Sequence, residues 1–240
     1  MNVQPSAARA RAAAICTFAA FVAAPAAAQL SEEQGRQAAQ EVKLLVGEGS
    51  AVIGDLQPAI NSGKVNKEHV TPDALINSFK VRYEKAAKTP LDMKATGVVG
   101  DARRAFLQAY TGVVTRYQGN LTKGGQDAFV PAFFRAQVLK DFNQLMVGKV
   151  QVYATNRDAE LINGDWAVKK VMKGSPLAGE VEKLMATGGL DPVVKRSGDR
   201  VMGYYPMKLA PACVSCHAQN GLKQTEGGFG GALVAEVPVK

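Results

Sequence analysis

Apolar positions in the first half of the chain recur with helical spacing. Between Leu30 and Ile60 they return every three or four residues, which predicts an amphipathic helix starting at Ser31. Thr71 followed by Pro72 predicts the start of a second helix, which we expect to break at Pro90. Two more helical stretches are predicted, at 102–117 and from Phe129 to about Gly148. The helices before residue 120 are expected to form a hairpin or a small bundle.

After Gly148 the apolar spacing changes to strict alternation. Four segments follow this pattern and are predicted strands: 149–154, 192–196, 200–207 and 232–238. Ser197-Gly198-Asp199 predicts a tight turn between the second and third of them, and 166–172 and 177–185 are helical in period. The pattern therefore predicts an α+β fold, an antiparallel sheet with helices on one face.

The first 28 residues have the three regions of a secretory signal peptide. Arg9 and Arg11 come first, without acidic residues, then an apolar run at 15–24, and then Ala26-Ala27-Ala28 as a cleavage site. Cys16 lies inside the apolar run and is discarded with it. We expect export to a bacterial periplasm with cleavage near Ala28. Later segments are too short or too polar to span a membrane.

Charge and length suggest a basic protein with an ordinary core. The formal net charge is +8, and removing Arg9 and Arg11 leaves +6. Such a protein suits an acidic redox partner or an anionic surface, although a solvated positive surface explains the charge equally simply. Nucleic acid is excluded by the expected compartment. We expect a signal peptide at 1–28, a helical module at 29–120 and a second domain at 121–240.

The strongest chemical signal is Cys213-Val214-Ser215-Cys216-His217. Two thiols three positions apart, followed by an imidazole, form the attachment site of a c-type haem. One helical turn separates the sulfurs by enough for each to form a thioether, and His217 then serves as the proximal iron ligand. The chain has three cysteines and two histidines, so the motif uses every cysteine of the cleaved protein. One covalent haem c is therefore predicted.

Other interpretations of the motif remain open. A disulfide between Cys213 and Cys216 would close a very small loop and stabilise little. Zinc normally needs four ligands, and only three are present here. A thioredoxin-like redox pair needs a long helix after the first thiol, which Gly221 would interrupt.

The sixth iron position decides between electron transfer and ligand binding. Candidate distal ligands are Met202, Met172, Met207 and His69, and each is also explained as core packing or as a loop residue. Water, hydroxide or an open site are the alternatives. One of two adjacent tyrosines, taken as Tyr205, is expected to face the haem. Basic residues near the motif are expected to neutralise the haem propionates or to attract an acidic partner, and a charged hairpin that faces water is the alternative explanation. They are Lys195, Arg196, Arg200, Lys208 and Lys223.

Several short segments resemble one known family. They are Phe129-Val-Pro-Ala-Phe-Phe-Arg, Asp141-Phe-Asn, Val152-Tyr-Ala-Thr-Asn-Arg, Tyr204-Tyr-Pro-Met, Cys213-Val-Ser-Cys-His and Gly230-Gly-Ala-Leu. In this order they are similar to the periplasmic monohaem c-type domains with a PAS-like fold, over roughly 126–240. The resemblance implies a haem pocket between the sheet and its covering helices. Some members use an N-terminal cysteine as the other axial ligand, which the cleaved chain lacks.

These observations give a functional hypothesis. The resemblance implies a redox-sensing or small-ligand-sensing haem domain, and the alternative is a soluble periplasmic electron-transfer cytochrome c. No enzymatic activity is expected, because a general acid or base is missing apart from His69. Expected partners are the c-type maturation machinery and a periplasmic redox or signalling protein, and the amphipathic helices also allow a homodimer.

Overall fold

A long helix leads into an antiparallel sheet through three further helices. The computed structural model describes residues 30–123, 131–155, 178–187, 189–209, 211, 213–214 and 226–240. The helices of these residues are α1 Glu32–Asn61, a 3₁₀ helix Lys67–Val70, α2 Pro72–Ala87, α3 Gly97–Leu121, α4 Pro131–Leu145 and α5 Ala178–Thr187. The strands are β1 Gln151–Thr155, β2 Val193–Ser197, β3 Arg200–Lys208 and β4 Phe229–Pro238. The chain is thus α+β, as its periodicity predicts.

Local side-chain chemistry explains where α1 and α2 begin. The Ser31 hydroxyl accepts a hydrogen bond from Gln34 N, and the Gln34 side chain accepts one from Ser31 N. This reciprocal pair satisfies two backbone donors that the first turn leaves open. At α2 the Thr71 hydroxyl alone acts as the cap and accepts a hydrogen bond from Ala74 N, with Pro72 at the first helical position. The predicted starts of both helices are confirmed.

The predicted ends of two helices were wrong by a few residues. The second helix was expected to run to Pro90, but α2 ends at Ala87 because Lys88 adopts a left-handed conformation with φ of 57°. The third was expected at 102–117 but extends over Gly97–Leu121. Val98 and Leu121, one near each end of it, are buried in the core, and this packing supports the extra turns.

The four strands form one antiparallel sheet in the order β1-β4-β3-β2. β2 and β3 are joined by a two-residue turn at Gly198 and Asp199, as predicted, and Gly198 has a φ of 59° that favours glycine. Near the end of β3 the register shifts between Pro206 and Lys208. Met207 lies at this irregularity.

Both faces of the sheet are covered, whereas helices on only one face were predicted. Val201, Tyr205 and the other odd-numbered positions of β3 pack in the large core with α1 and α4; we call this side the α1 face. Met202 and Tyr204 point to the other side and pack with Leu184 of α5; we call it the α5 face. Both sets of β3 side chains are apolar and buried, so each face needs a cover. The predicted helix at 166–172 lies outside the described residues.

The core is continuous between the long helices and the sheet. Buried side chains of α1, α2, α3 and α4 belong to the same cluster as those of β3 and β4. Gly35 lets α1 approach the sheet, because a Cβ there would lie 2.5 Å from Val239 Cγ1 and 3.0 Å from Val201 Cγ2. Gly49 does the same against Phe106 of α3. The predicted division at residue 120 thus falls at the end of α3 and stays a prediction.

Helices long and apolar enough to cross a membrane are absent from the described residues.

Candidate functional site

The first cysteine of the motif lies in the connection between β3 and β4. Pro211, Cys213 and Val214 have helical backbone conformation, and Cys213 is half-buried. Cys216 and His217 lie outside the described residues. Among the described residues, no three His, Cys, Asp or Glu side chains form a group able to hold a metal ion.

Backbone hydrogen bonds close the base of this connection. Leu209 N donates to Gly228 O at 2.8 Å, and Gly227 N donates to Leu209 O at 3.0 Å. Gly230 lies close to Leu209, where a Cβ would meet Leu209 Cδ1 at 3.1 Å. The segment that carries Cys213 therefore starts and ends at the same end of the two central strands, β3 and β4.

An arginine of α4 reaches this end of β3. Arg135 lies at helical spacing from Val138, Leu139 and Phe142, which are buried apolar residues. Its Nη1 donates a hydrogen bond to Met207 Sδ at 3.0 Å. Its Nε is shielded from solvent and has no hydrogen-bond partner among the described residues. The structure thus brings the guanidinium of a half-buried arginine, with its Nε shielded from solvent, to a residue six positions before Cys213.

The electrostatic state of Arg135 reflects this burial. Loss of solvent contact lowers the pKa of Arg135 to about 10, because burial disfavours the charged form. A negative charge on Cys213 acts in the opposite direction, which places the thiol within electrostatic reach of the guanidinium. In the described part of the chain, Arg135 has no ion pair with a carboxylate.

Two of the basic residues expected near the propionates lie at the opposite end of β3. Arg196 donates to Gly198 O and to Lys240 O, next to the β2–β3 turn. Arg200 pairs with Glu236 and with the exposed Asp199. Since Met207 lies near the far end of β3 and Cys213 follows that end, this turn lies away from the motif.

The other three basic residues are placed as follows. Lys195 lies opposite Met202 in the β2–β3 ladder, and Lys208 is exposed at the end of β3. Lys223 lies outside the described residues.

The adjacent tyrosines face opposite sides of the sheet. Tyr205 lies on the α1 face, where its ring covers Gly203 closely enough that a Cβ there would lie 2.6 Å from Cε2. Burial raises its pKa, and Arg36 partly opposes this shift. Tyr204 lies on the α5 face, and burial raises its pKa to about 12. Both hydroxyls are buried without a hydrogen-bond partner among the described residues.

The candidate distal ligands are dispersed. Met202 packs on the α5 face, and Met207 packs against the large core beside Arg135. His69 is exposed in the 3₁₀ helix before α2. Met172 lies outside the described residues. Met207 contacts Arg135, which is within electrostatic reach of Cys213, and the described contacts bring neither Met202 nor His69 to this arginine.

Sequence reasoning did not single out Arg135. It belongs to one of the segments that carry the family resemblance and lies in the helix predicted from Phe129 to about Gly148. The available signal was a cation on the apolar stripe of that helix, at spacings of three, four and seven from Val138, Leu139 and Phe142.

No protein-family model, curated protein or solved structure matches this chain.

Proposed function

We propose that this protein is an exported monohaem c-type protein that senses redox state or a small ligand. Cys213 and Cys216 would hold the haem through thioether bonds, with His217 as the proximal ligand. When bound, the haem supplies one-electron chemistry or a site for a diatomic ligand. The residues 1–28 would direct the chain to the periplasm and be removed.

The observation that carries this proposal is the motif together with the backbone at its start. Cys213 and Val214 are helical. In a helix, residues three positions apart are neighbours on one side, so the spacing of a C-x-x-C pair in helical conformation is about one turn. That arrangement suits two thioether bonds to one edge of a macrocycle.

The chemistry of Arg135 indicates whether the surroundings of Cys213 suit a haem. A haem carries two propionate carboxylates, and each needs a positive charge or hydrogen-bond donors when it leaves water. Arg135, beside Met207, is half-buried, and its Nε is shielded from solvent and has no hydrogen-bond partner among the described residues. The described surroundings of the motif therefore fit a bound group with carboxylates.

The proposed family assignment rests on the sequence segments, and one coarse feature of the fold is compatible with it. The sheet is antiparallel and carries helices, which agrees with the expected PAS-like architecture as far as strand direction goes. We propose that 121–240 is the haem domain and that 29–120 is a helical module attached to it. A homodimer through the helices stays part of this proposal.

Packing between α4 and the long helices favours a sensor over a carrier. Arg116 of α3 pairs with Asp141 of α4 at 2.5 Å, and the rings of Phe106 and Phe142 meet edge to face. α4 also carries Arg135, so one rigid element joins the neighbourhood of Cys213 to the helical part. A change at the haem could reach that part through α4, with a periplasmic signalling protein as the receiver.

The second candidate function is electron transfer as a periplasmic cytochrome c. The formal net charge of +6 expected after removal of Arg9 and Arg11 favours it, because a basic surface attracts an acidic redox partner. Carbon monoxide distinguishes the two functions. A Soret shift on adding carbon monoxide to the reduced protein supports ligand sensing, and an unchanged low-spin spectrum supports electron transfer.

The haem assignment is tested by expression with the c-type maturation machinery. We expect His217→Ala and Cys216→Ala to lose normal haem incorporation. The matched control is His69→Ala, which changes the other histidine of the chain and is expected to keep covalent haem. Wild-type haem absorbance in His217→Ala or Cys216→Ala would contradict the assignment.

A further inference from the structure

Arg135 has more hydrogen-bonding capacity than its described neighbours use. A guanidinium has five N–H donors. The described residues supply one acceptor, Met207 Sδ at 3.0 Å from Nη1, and a thioether is a weak acceptor. Nε is buried and has no partner among the described residues. A buried cation with an unused donor is costly unless an anion binds it.

Two described carboxylates, one on α4 and one buried in β4, are already engaged in ion pairs. Asp141 lies on the same helix as Arg135 but pairs with Arg116 of α3. Glu236, which is buried in β4, pairs with Arg200 near the far end of the sheet. The anion that Arg135 needs is therefore not one of these two carboxylates.

The thiol of Cys213 does not fill this role once haem is attached. As a thiolate it would stabilise the guanidinium, which is the direction of its effect on the pKa of Arg135. Thioether formation removes that negative charge, because the sulfur then carries two carbon substituents. The same step brings a group with two carboxylates to Cys213.

We propose that Arg135 binds a haem propionate, with Met207 positioning the guanidinium through its sulfur. This inference rests on the proposed haem attachment and adds the residue that holds the carboxylate. Arginine suits the task, because its planar donors match the two oxygens of a carboxylate. Met207, at the register shift of β3, fixes one edge of the guanidinium and leaves Nε for the propionate.

The test compares Arg135→Gln with wild type and with Arg116→Gln, all carrying covalent haem. Arg116→Gln is the matched control, because it removes an arginine from a half-exposed ion pair on the neighbouring helix. The readouts are the propionate bending band in the resonance Raman spectrum and the midpoint potential of the haem. Loss of a cation beside a propionate weakens its hydrogen bonds and favours the ferric state.

We expect Arg135→Gln to shift the propionate band to lower frequency and to lower the midpoint potential, while Arg116→Gln changes neither. Met207→Leu keeps the cation and is expected to move the band less than Arg135→Gln does. A haem-loaded Arg135→Gln protein with the wild-type band and potential would overturn the inference and leave the proposed function standing. Wild-type protein without covalent haem would instead overturn the proposed function.

If Arg135→Gln does not accumulate, a measurement on the wild-type protein decides the question. In the reduced wild-type protein, nuclear Overhauser contacts between the propionate methylene protons and the side chain of Arg135 would support the inference. An assigned Arg135 side chain without such contacts would overturn it.

Discussion

Gly35 and Val239 meet so closely that a side chain on Gly35 has no room. A Cβ at this position would lie 2.5 Å from Val239 Cγ1 and 3.0 Å from Val201 Cγ2. Both valines are buried and branched at Cβ, so neither can move aside easily. This contact fixes how closely α1 approaches the sheet.

We expect Gly35→Ala to destabilise the protein by about 1–3 kcal/mol, because it overpacks this contact. Gly47→Ala is the control, since Gly47 is exposed on the same helix with nothing within 4 Å of a Cβ. It is expected to stabilise the protein by about 0.5–1 kcal/mol through helix propensity. Urea unfolding measures both. Equal effects of the two substitutions would contradict the described packing of α1 on the sheet.

Two buried tyrosines should respond in opposite ways to loss of the hydroxyl. Tyr83 donates to Glu41 Oε1 at 2.6 Å, and Arg103 binds the same carboxylate at 2.8 Å. We expect Tyr83→Phe to cost about 2 kcal/mol, as for a hydrogen bond to a charged group. The Tyr110 hydroxyl is buried without a partner among the described residues, so Tyr110→Phe is expected to be neutral or stabilising. Similar losses in both variants would contradict this difference.

Stability should fall at alkaline pH. Burial raises the folded-state pKa of Tyr83, Tyr110, Tyr204 and Tyr205 above the unfolded value of about 10. Above that value the unfolded chain loses protons that the folded protein keeps, so each tyrosine lowers the free energy of unfolding by about 1.4 kcal/mol per pH unit. The stabilisation that results from the raised pKa values is fully present below about pH 10, and it is lost as the pH rises through the folded-state pKa of each tyrosine.

Urea unfolding between about pH 9 and pH 11 measures this slope. We expect Tyr110→Phe to reduce it by the share of one tyrosine, because Phe has no proton to release. An equal slope in wild type and Tyr110→Phe would show that Tyr110 titrates alike in both states.

Met202 and Met207 lie on different faces of the sheet, and this separates them as distal ligands. Met202 packs with Tyr204 on the α5 face, whereas Met207 contacts Arg135 near the motif. We therefore expect Met202→Leu to leave the visible spectrum of the reduced haem protein unchanged. A change from a low-spin to a high-spin spectrum in this variant would make Met202 the ligand.

Local features of this fold were predictable from the sequence, and long-range pairings were not. The start of α2 and the β2–β3 turn follow from Thr71-Pro72 and Ser197-Gly198-Asp199, whose chemistry acts within a few residues. α5 lies on the second face of the sheet because Met202 and Tyr204 of β3 are buried there as well. The alternation of residues along β3 does not by itself show that both faces are covered.

The candidate site also has one part that the sequence predicts and one part that only the fold brings together. Cys213, Cys216 and His217 can be recognised from the sequence alone, because the haem attachment motif is defined by the spacing of these residue types. The contact of Arg135 with Met207 joins residues 72 positions apart, so only the fold brings them together. Likewise, Arg196 and Arg200 are close to the motif in sequence, but β3 carries them to the opposite end of the sheet.

Intact-mass measurement tests the central claim most directly. The protein is coexpressed with the c-type maturation machinery, purified from the periplasm and denatured before measurement, so that only covalent haem remains. We predict a chain that begins after Ala28 and carries the mass of one haem, and a Cys213→Ala, Cys216→Ala double variant without that added mass. A wild-type chain with the mass of the polypeptide alone would contradict the account.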